Sequence, residues 1–387
     1  MVLVASCNKT DVKIIPGKYN PDGISGSTGT GGVSGSTGST DSTSTTLFSA
    51  PTGVAVDAAG NIYVADYGNN LIHKVTPAGA VTTLAGSGNA GAIDAAGSLA
   101  SFNGPTGIAV DGSGNVYVAD AGNNLIRKIT PDGTVSTLAG TVVAVDTSNT
   151  VTGQPLFANP SGVAVDAVGN VYVADAGNNR ICKVSPAGVT TTLAGNENPG
   201  ANNGTGAAAT FNNPTGVALD ATGNVYVADF LNNMIRKITP GGVVSTLVGS
   251  GDIGSSDGQG TAASFYFPNS LTVDASGNVY VTDDINNLIR KITPDGTVTT
   301  IAGSGIAGFV NGAGTADSFS DPSGIAVNTS GDLYVADANN NAIRKISSGN
   351  VVTTLAGMAP ATSVRRNLPH IYYHTGKIQR GGLMLRK

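Results

Sequence analysis

Short apolar runs alternate with polar turns along most of the chain. Four such runs follow one another at Gly107–Asp111, Val116–Asp120, Leu125–Thr130 and Thr134–Ala139. Val, Ile, Tyr and Thr are frequent in the runs, and Gly, Asn, Asp and Pro separate them, which is typical of strands joined by tight turns. The runs are almost continuously apolar, so both faces of the sheet should be covered. We therefore expect a four-stranded antiparallel meander with two buried faces.

This unit recurs six times at intervals of 54 or 55 residues. Each copy reads F-x-x-P-x-G-[VI]-A-V-D, then G-N-[VI]-Y-V-A-D, then N-N-x-I-x-K, then G-x-V-x-T-L-A-G, with single departures such as Ser270 for the first Gly. The third copy carries Arg180 where the other copies have an apolar residue, and Cys182 where most of them have Arg. A regular repeat of this length predicts a solenoid, a propeller or an array. A radial array of sheets covers both faces of every sheet, which favours the propeller.

On these motifs the units resemble NHL repeats. The resemblance implies an all-β fold, a six-bladed β-propeller over residues 48–357 with one repeat per four-stranded antiparallel blade. The first repeat begins with an innermost strand and the sixth ends with an outermost strand, so we expect no strand exchange at closure. The expected blades are about 48–101, 102–156, 157–210, 211–264, 265–318 and 319–357.

Two segments flank the repeats. Residues 1–47 combine Val4-Ala5-Ser6-Cys7, which resembles a truncated bacterial signal with its lipobox, with a Gly/Ser/Thr-rich tether. We expect lipidation of Cys7, and a lipid-anchored periplasmic or surface-exposed protein of the bacterial cell envelope. The alternative is a small-residue N-terminus that matches by chance. Residues 358–387 are basic and carry no repeat, and we expect a disordered extension.

The charge of the repeats excludes some partners and cofactors. Residues 48–357 hold 11 Lys and Arg against 22 Asp and Glu, a net charge of −11. A nucleic-acid groove needs clustered basic residues, so we expect no nucleic-acid partner, and membrane contact only through the N-terminal lipid. The two cysteines, Cys7 and Cys182, show no metal-binding spacing. We expect no metal, no cofactor and a monomer.

Residues repeated in every copy should build the scaffold. A repeated aspartate ends the second run of each unit, where we expect its carboxylate to accept backbone N–H groups of the Asn-Asn turn that follows. These structural turn aspartates are Asp66, Asp120, Asp175, Asp229, Asp283 and Asp337. The repeats contain one His and one Glu, His73 and Glu197, and we expect His73 at the surface. We assign no catalytic residue, and a non-enzymatic protein is the preferred interpretation.

Residues that differ between copies should carry the function. Strands alternate in direction, so the turns after the second strands and the inter-blade connections share one side of the propeller, here called the loop-rich face. Its turns vary, and several carry large side chains where other copies have Ala or Gly. The predicted partner-binding residues are Tyr67, Phe230, Leu231, Tyr266, Phe267, Asp284 and Ile285. Alternatively, these side chains fold over one another to close a longer loop.

We thus expect an envelope-associated scaffold that binds a protein or glycan partner through the loop-rich face. NHL propellers commonly serve as interaction modules, which the resemblance carries over to this chain. The alternative is a metal-dependent lyase or lactonase-like hydrolase with its site at the central channel, as in some propellers of this broad class.

Overall fold

The computed structural model describes residues 48–141, 144–145, 151–152 and 156–357. Six antiparallel sheets, each formed by one continuous repeat, surround a central channel. Among the described strands, none pairs across from blade 1 to blade 6, so the expected closure without strand exchange is confirmed for residues 48–357. The six-bladed all-β architecture is confirmed with it.

The four main strands of each blade occupy equivalent positions. The first strands, which line the channel, are Pro51–Val56, Pro105–Val110, Pro160–Val165, Pro214–Leu219, Pro268–Val273 and Pro322–Val327. The second strands are Ile62–Asp66, Val116–Asp120, Val171–Asp175, Val225–Asp229, Val279–Asp283 and Leu333–Asp337. The third strands are Leu71–Val75, Leu125–Ile129, Arg180–Val184, Met234–Ile238, Leu288–Ile292 and Ala342–Ile346. The outermost strands are Val81–Ala85, Val135–Ala139, Thr190–Gly195, Val243–Val248, Thr297–Ala302 and Val351–Gly357.

Three blades carry a fifth strand that the repeat pattern does not predict. The short strands Gly204–Thr205, Gly258–Gln259 and Gly312–Ala313 each pair with the outermost strand of the blade that follows them in the chain. In blade 2 a single bridge between Ala96 and Thr134 takes the same place. The connection between blades thus covers an outer edge before it turns toward the channel. A further two-stranded pair, Ala144–Val145 with Val151–Thr152, lies between blades 2 and 3.

Apolar side chains fill the space between neighbouring blades. In the cluster between blades 1 and 2, Tyr63 and Ile72 of one blade pack with Phe102 and Val118 of the next. The Phe of the F-x-x-P motif is buried in every blade, at Phe48, Phe102, Phe157, Phe211, Phe265 and Phe319. Each blade therefore contributes one half of two cores, which explains the continuously apolar strands.

Hydroxyl side chains join the innermost strands to one another. Thr52 Oγ1 lies 3.1 Å from Pro105 O of the next blade, and Thr106 Oγ1 lies 3.1 Å from Ser161 O. The ring closes where Ser323 Oγ of blade 6 donates to Pro51 O at 3.1 Å or to Thr52 O at 3.0 Å. Side-chain hydrogen bonds and the apolar cluster between blades 6 and 1 thus hold the two ends of the array together.

Blade 5 makes the same inter-blade bond from a different strand. There Thr282, on the second strand, donates to Ser323 O at 2.8 Å and stands where the other blades carry Ala. This substitution accompanies Ser270, the departure from the P-x-G motif noted above.

Several sequence predictions fall outside the described residues. Cys7, the tether over residues 1–47 and the basic segment 358–387 all belong to this group. Within the described residues, no helix has the length and apolar character needed to cross a membrane.

Candidate functional site

The six repeated aspartates organise the turns that surround the channel. Asp120 is typical: its Oδ1 accepts the backbone N–H of Asn103 at 2.7 Å, and its Oδ2 accepts from Asn123 Nδ2 at 2.8 Å and Arg127 Nη1 at 2.7 Å. The expected hydrogen bond to the N–H groups of its own turn is therefore wrong, since the backbone donor lies seventeen residues earlier. Burial raises the pKa of Asp120. The hydrogen bonds and the charge of Arg127 favour the ionised form and offset part of this increase.

The third strand supplies a buried cation to most of these aspartates. Arg127, Arg236, Arg290 and Arg344 are fully buried and each lies 2.6 to 2.7 Å from its aspartate. In blade 1 the partner of Asp66 is His73, whose Nε2 lies 3.1 Å from Asp66 Oδ2. His73 is 0% exposed, so its expected surface position is wrong. Its strand is covered on both faces by neighbouring blades, and the position faces a buried carboxylate.

A cavity of about 390 Å³ opens at the loop-rich end of the central channel. Its wall combines apolar residues such as Val217, Leu271 and Ile325 with the hydroxyl groups of the innermost strands. This opening, here called the channel mouth, has the size of a small-ligand site.

Two rings of residues surround the channel mouth. The first residue of each turn after the second strand forms one ring: Tyr67, Ala121, Ala176, Phe230, Asp284 and Ala338. The residue before the proline of each first strand forms the other: Ala50, Gly104, Asn159, Asn213, Phe267 and Asp321. Every member of the second ring has a positive φ, between 48° and 60°.

At each blade junction, one residue of the first ring lies beside one residue of the second ring. The Asn at the end of a turn accepts the N–H of the pre-proline residue in the next blade, as Asn233 Oδ1 does from Phe267 N at 3.0 Å and Asn287 Oδ1 from Asp321 N at 3.0 Å. The Tyr67 ring lies against Gly104, where a Cβ would come within 2.9 Å of Cε2. At this junction the large Tyr67 side chain therefore lies against a residue without a side chain.

The junction between blades 4 and 5 is aromatic. The Phe230 and Phe267 rings stack with centroids 4.7 Å apart and planes at 17°, and Tyr266 lies 4.7 Å from Phe267 on a tilted plane. Phe230 is 7% exposed and lines the channel mouth, whereas Tyr266 and Phe267 are half-buried. The aromatic residues thus form a stack across two blades at the rim of the cavity.

The next junction is a carboxyl pair. Asp284 of blade 5 and Asp321 of blade 6 both line the channel mouth. Asp284 is 3% exposed, and burial, followed by a hydrogen bond and charge repulsion from Asp321, raises its pKa well above the ordinary value. Asp284 therefore keeps its proton to a higher pH than an exposed aspartate does.

Sequence reasoning located part of this site. Tyr67, Phe230 and Asp284 line the channel mouth, and Phe267 joins them through its stack. Leu231 and Ile285 are half-buried and lie outside the cavity lining; their N–H groups donate to Asn212 O and Tyr266 O. The sequence analysis did not identify Asp321, because the pre-proline residue differs between most of the six repeats.

Within the described ranges, no group of three or more His, Cys, Asp or Glu side chains comes together in a way that could hold a metal ion. Cys182 is buried in the core between blades 2 and 3, and burial raises its pKa to about 12.

Comparison with known proteins identifies the repeat. A family model described as NHL repeat matches residues 48–75, 102–129, 157–184 and 319–346, and one described as Teneurin NHL domain matches residues 196–257. The chain is 31% identical over 220 residues to Protein SUPPRESSOR OF QUENCHING 1, chloroplastic, of Arabidopsis thaliana, an alignment that covers 52% of this chain and 21% of that protein. It is 34% identical over 152 residues to NHL repeat-containing protein 2 of Bos taurus, with 35% and 20% covered. The chain spans about a fifth of the length of these relatives.

Solved structures share the fold at low sequence identity. A structural genomics protein of unknown function from Bacteroides thetaiotaomicron superposes with a TM-score of 0.58 and 19% identity over 79% of this chain and 69% of that chain. An auxiliary nutrient binding protein from the same organism gives a TM-score of 0.56 and 16% identity over 80% and 70%. These similarities concern the fold alone. The chain therefore contains NHL repeats, and its six repeats form a six-bladed β-propeller.

Proposed function

We propose that this propeller is a non-enzymatic scaffold that recognises a protein or glycan partner at its loop-rich face, with part of the partner entering the channel mouth. The observation that carries the proposal is the position of the divergent residues. Phe230, Asp284 and Asp321 all line one cavity, at two adjacent junctions. Concave sites with apolar walls and a few convergent polar groups are typical of ligand binding.

Scaffold packing alone does not require these residues. The junctions between blades 2 and 3 and between blades 3 and 4 use an Ala in the first ring and an Asn in the second, in the same backbone conformation. The aromatic pair between blades 4 and 5 and the carboxyl pair between blades 5 and 6 are therefore additions to a frame that closes without them.

Backbone conformation supports the same proposal. Phe267 and Asp321 have φ values of 60° and 59°, in the left-handed region that suits Gly and Asn far better than a bulky side chain. A strained non-glycine residue costs on the order of 1 kcal/mol or more, and such residues cluster at functional sites. Their presence beside one cavity favours a binding role over chance.

The cellular setting remains a proposal from the sequence. Anchorage in the bacterial cell envelope through lipid on Cys7 would present the propeller on a tether, with the loop-rich face available to a partner. The expected monomer belongs to the same proposal.

A second candidate function is hydrolysis or elimination at the channel mouth. The carboxyl pair favours it, because a carboxyl group whose pKa is raised by burial and a second carboxylate can serve as general acid and base. Turnover of a lactone or ester by the full chain, lost in Asp284→Asn and sensitive to chelation, would support the metal-dependent form of this function.

Site-specific crosslinking tests the binding proposal. A photo-crosslinking amino acid at Leu231, beside the channel mouth, is exposed to envelope extract and to an immobilised oligosaccharide array. The matched control carries it at Val168, which is 74% exposed on the opposite face. The double variant Phe230→Ala/Phe267→Asn then gives this junction the Ala–Asn pair found between blades 3 and 4. The control Val189→Ser removes an exposed apolar side chain from a turn on the opposite face.

The expected result is an adduct from the Leu231 position that persists in Val189→Ser and is lost in the double variant. Adducts of equal yield at Leu231 and Val168, or an adduct unaffected by the double variant, would contradict the proposed site. No adduct and no array signal with any form would contradict the binding function itself.

A further inference from the structure

We propose that the carboxyl pair Asp284–Asp321 binds the protonated amine of an organic ligand at the channel mouth. This inference rests on the proposed binding function and names the chemical group that the site recognises. The shared chemistry is a primary ammonium group on an apolar or sugar stem, which a lysine side chain and an amino sugar can both provide.

Burial of Asp284 provides the first step of the argument. The side chain is almost fully buried, it lines the cavity, and no described group donates a hydrogen bond to its Oδ1. A buried carboxyl oxygen without a donor loses the hydrogen bonds it would have in water. An ammonium group with three N–H donors would restore them.

The charges around the pair provide the second step. Asp283, the neighbour in sequence, is paired with Arg290, whose Nη1 lies 2.6 Å from Asp283 Oδ2. Among the described residues that line the cavity there is no Lys, Arg or His, and Tyr67 is the other titratable side chain on the wall. The cavity wall therefore offers the two carboxyl groups no positive charge, and a bound cation would provide it.

Proton linkage follows from this arrangement. Burial and the Asp321 carboxyl raise the pKa of Asp284, so the site holds a proton that a bound cation would displace. Binding of an amine near neutral pH should therefore release protons, and the affinity should rise with pH until the pair is fully ionised.

An organic cation fits the surroundings better than a metal ion. Ca²⁺ takes six to eight oxygen ligands, whereas the described residues bring no third carboxylate, His or Cys to this pair. Phe230 at the adjacent junction and Leu271 on the wall instead offer apolar and aromatic surface to a ligand stem.

Calorimetry of the full chain tests the inference. Nα-acetyl-lysine amide and glucosamine are titrated separately near neutral pH, each in two buffers of different ionisation enthalpy, so that released protons are counted. We expect at least one of them to bind with proton release, and Asp284→Asn to weaken that binding by at least about tenfold and to reduce the release. The control Asp252→Asn removes an exposed carboxylate on the connection between blades 4 and 5 and should change neither.

Each outcome decides the inference. Binding of the lysine derivative alone identifies a peptide amine as the ligand group, and binding of glucosamine alone identifies an amino sugar. No binding of either amine, or equal binding by the wild type and Asp284→Asn, would overturn the inference, while the crosslinking result at Leu231 would still decide the proposed function. If Asp284→Asn does not fold, Asp321→Asn takes its place in the same comparison.

Discussion

Arg180 Nε lies 2.7 Å from Asp175 Oδ2, and this contact replaces the arginine–aspartate pair found two positions further along the strand in four other blades. At that further position blade 3 has Cys182, which is 1% exposed. The cation has therefore moved from one strand position to another while its buried carboxylate partner has stayed in place. In blade 3, Arg180 therefore compensates for the arginine that is absent at position 182.

An arginine at position 182 should compensate for the loss of Arg180. Arg180→Leu leaves Asp175 buried and without a cation, and we expect a loss of about 3 kcal/mol in the free energy of unfolding. The double variant Arg180→Leu/Cys182→Arg recreates the Leu-Ile-Arg sequence of Leu125–Arg127 and should recover at least half of that loss. Denaturant unfolding of the wild type and of the two variants measures these differences. If Arg180→Leu were as stable as the wild type, Asp175 would need no cation.

Close approach of the innermost strands predicts the effect of a single methyl group. A Cβ on Gly162 would lie 2.3 Å from Thr215 O in the next blade, whereas one on Gly112 would meet no atom within 4 Å. We expect Gly162→Ala to lower the free energy of unfolding by about 2 kcal/mol or more, since backbone has to move, and Gly112→Ala to change it little. Similar melting temperatures for the two variants would argue against a tightly packed ring.

The ionisation of buried Asp317 should make the stability of the protein depend on pH. It is 0% exposed, its Oδ2 has no hydrogen-bond partner in the described structure, and burial raises its pKa to about 6. A raised pKa in the folded state contributes stability that is present below the unfolded pKa and is lost as the pH rises through about 6. The equivalent residues Ala100, Ala209 and Ala263 are fully buried, so the fold accepts Ala here.

Asp317 Oδ1 also accepts the Gly303 N–H at 2.8 Å, and Asp317→Ala loses this hydrogen bond at every pH. The stability of Asp317→Ala relative to the wild type should therefore rise by about 1–2 kcal/mol as the pH increases from mild acid to values above the folded pKa. Thermal unfolding of both forms across this pH range measures the difference. A constant difference at every pH would mean that ionisation of Asp317 carries no cost in the folded protein.

The propeller could be predicted from the sequence because all six repeats show the same order of apolar runs and turn residues. Errors arose where a residue's role depends on a neighbouring blade. His73 sits in a strand covered on both faces, so no alternation of polar and apolar residues distinguishes a surface position from a buried one. The short strand Gly258–Gln259 has no apolar content, and only its pairing with the outermost strand defines it.

The candidate site shows the same boundary. Asp284 stood out because an acid replaced Ala or an aromatic residue in a repeated turn. Asp321 did not, because the pre-proline position varies in most repeats and because two residues 37 positions apart meet only when blade 6 lies beside blade 5. The pair is a property of the junction rather than of either repeat.

The short strand Gly204–Thr205 has a consequence for synthesis on the ribosome. It pairs with Val243–Val248, so the segment that covers the outer edge of blade 4 is translated before that edge exists. An unpaired strand edge is a template for aggregation, and chains emerge with the N-terminal part first. In blades 4, 5 and 6 the first part of the outermost strand therefore finds its pairing segment already synthesised when it leaves the ribosome.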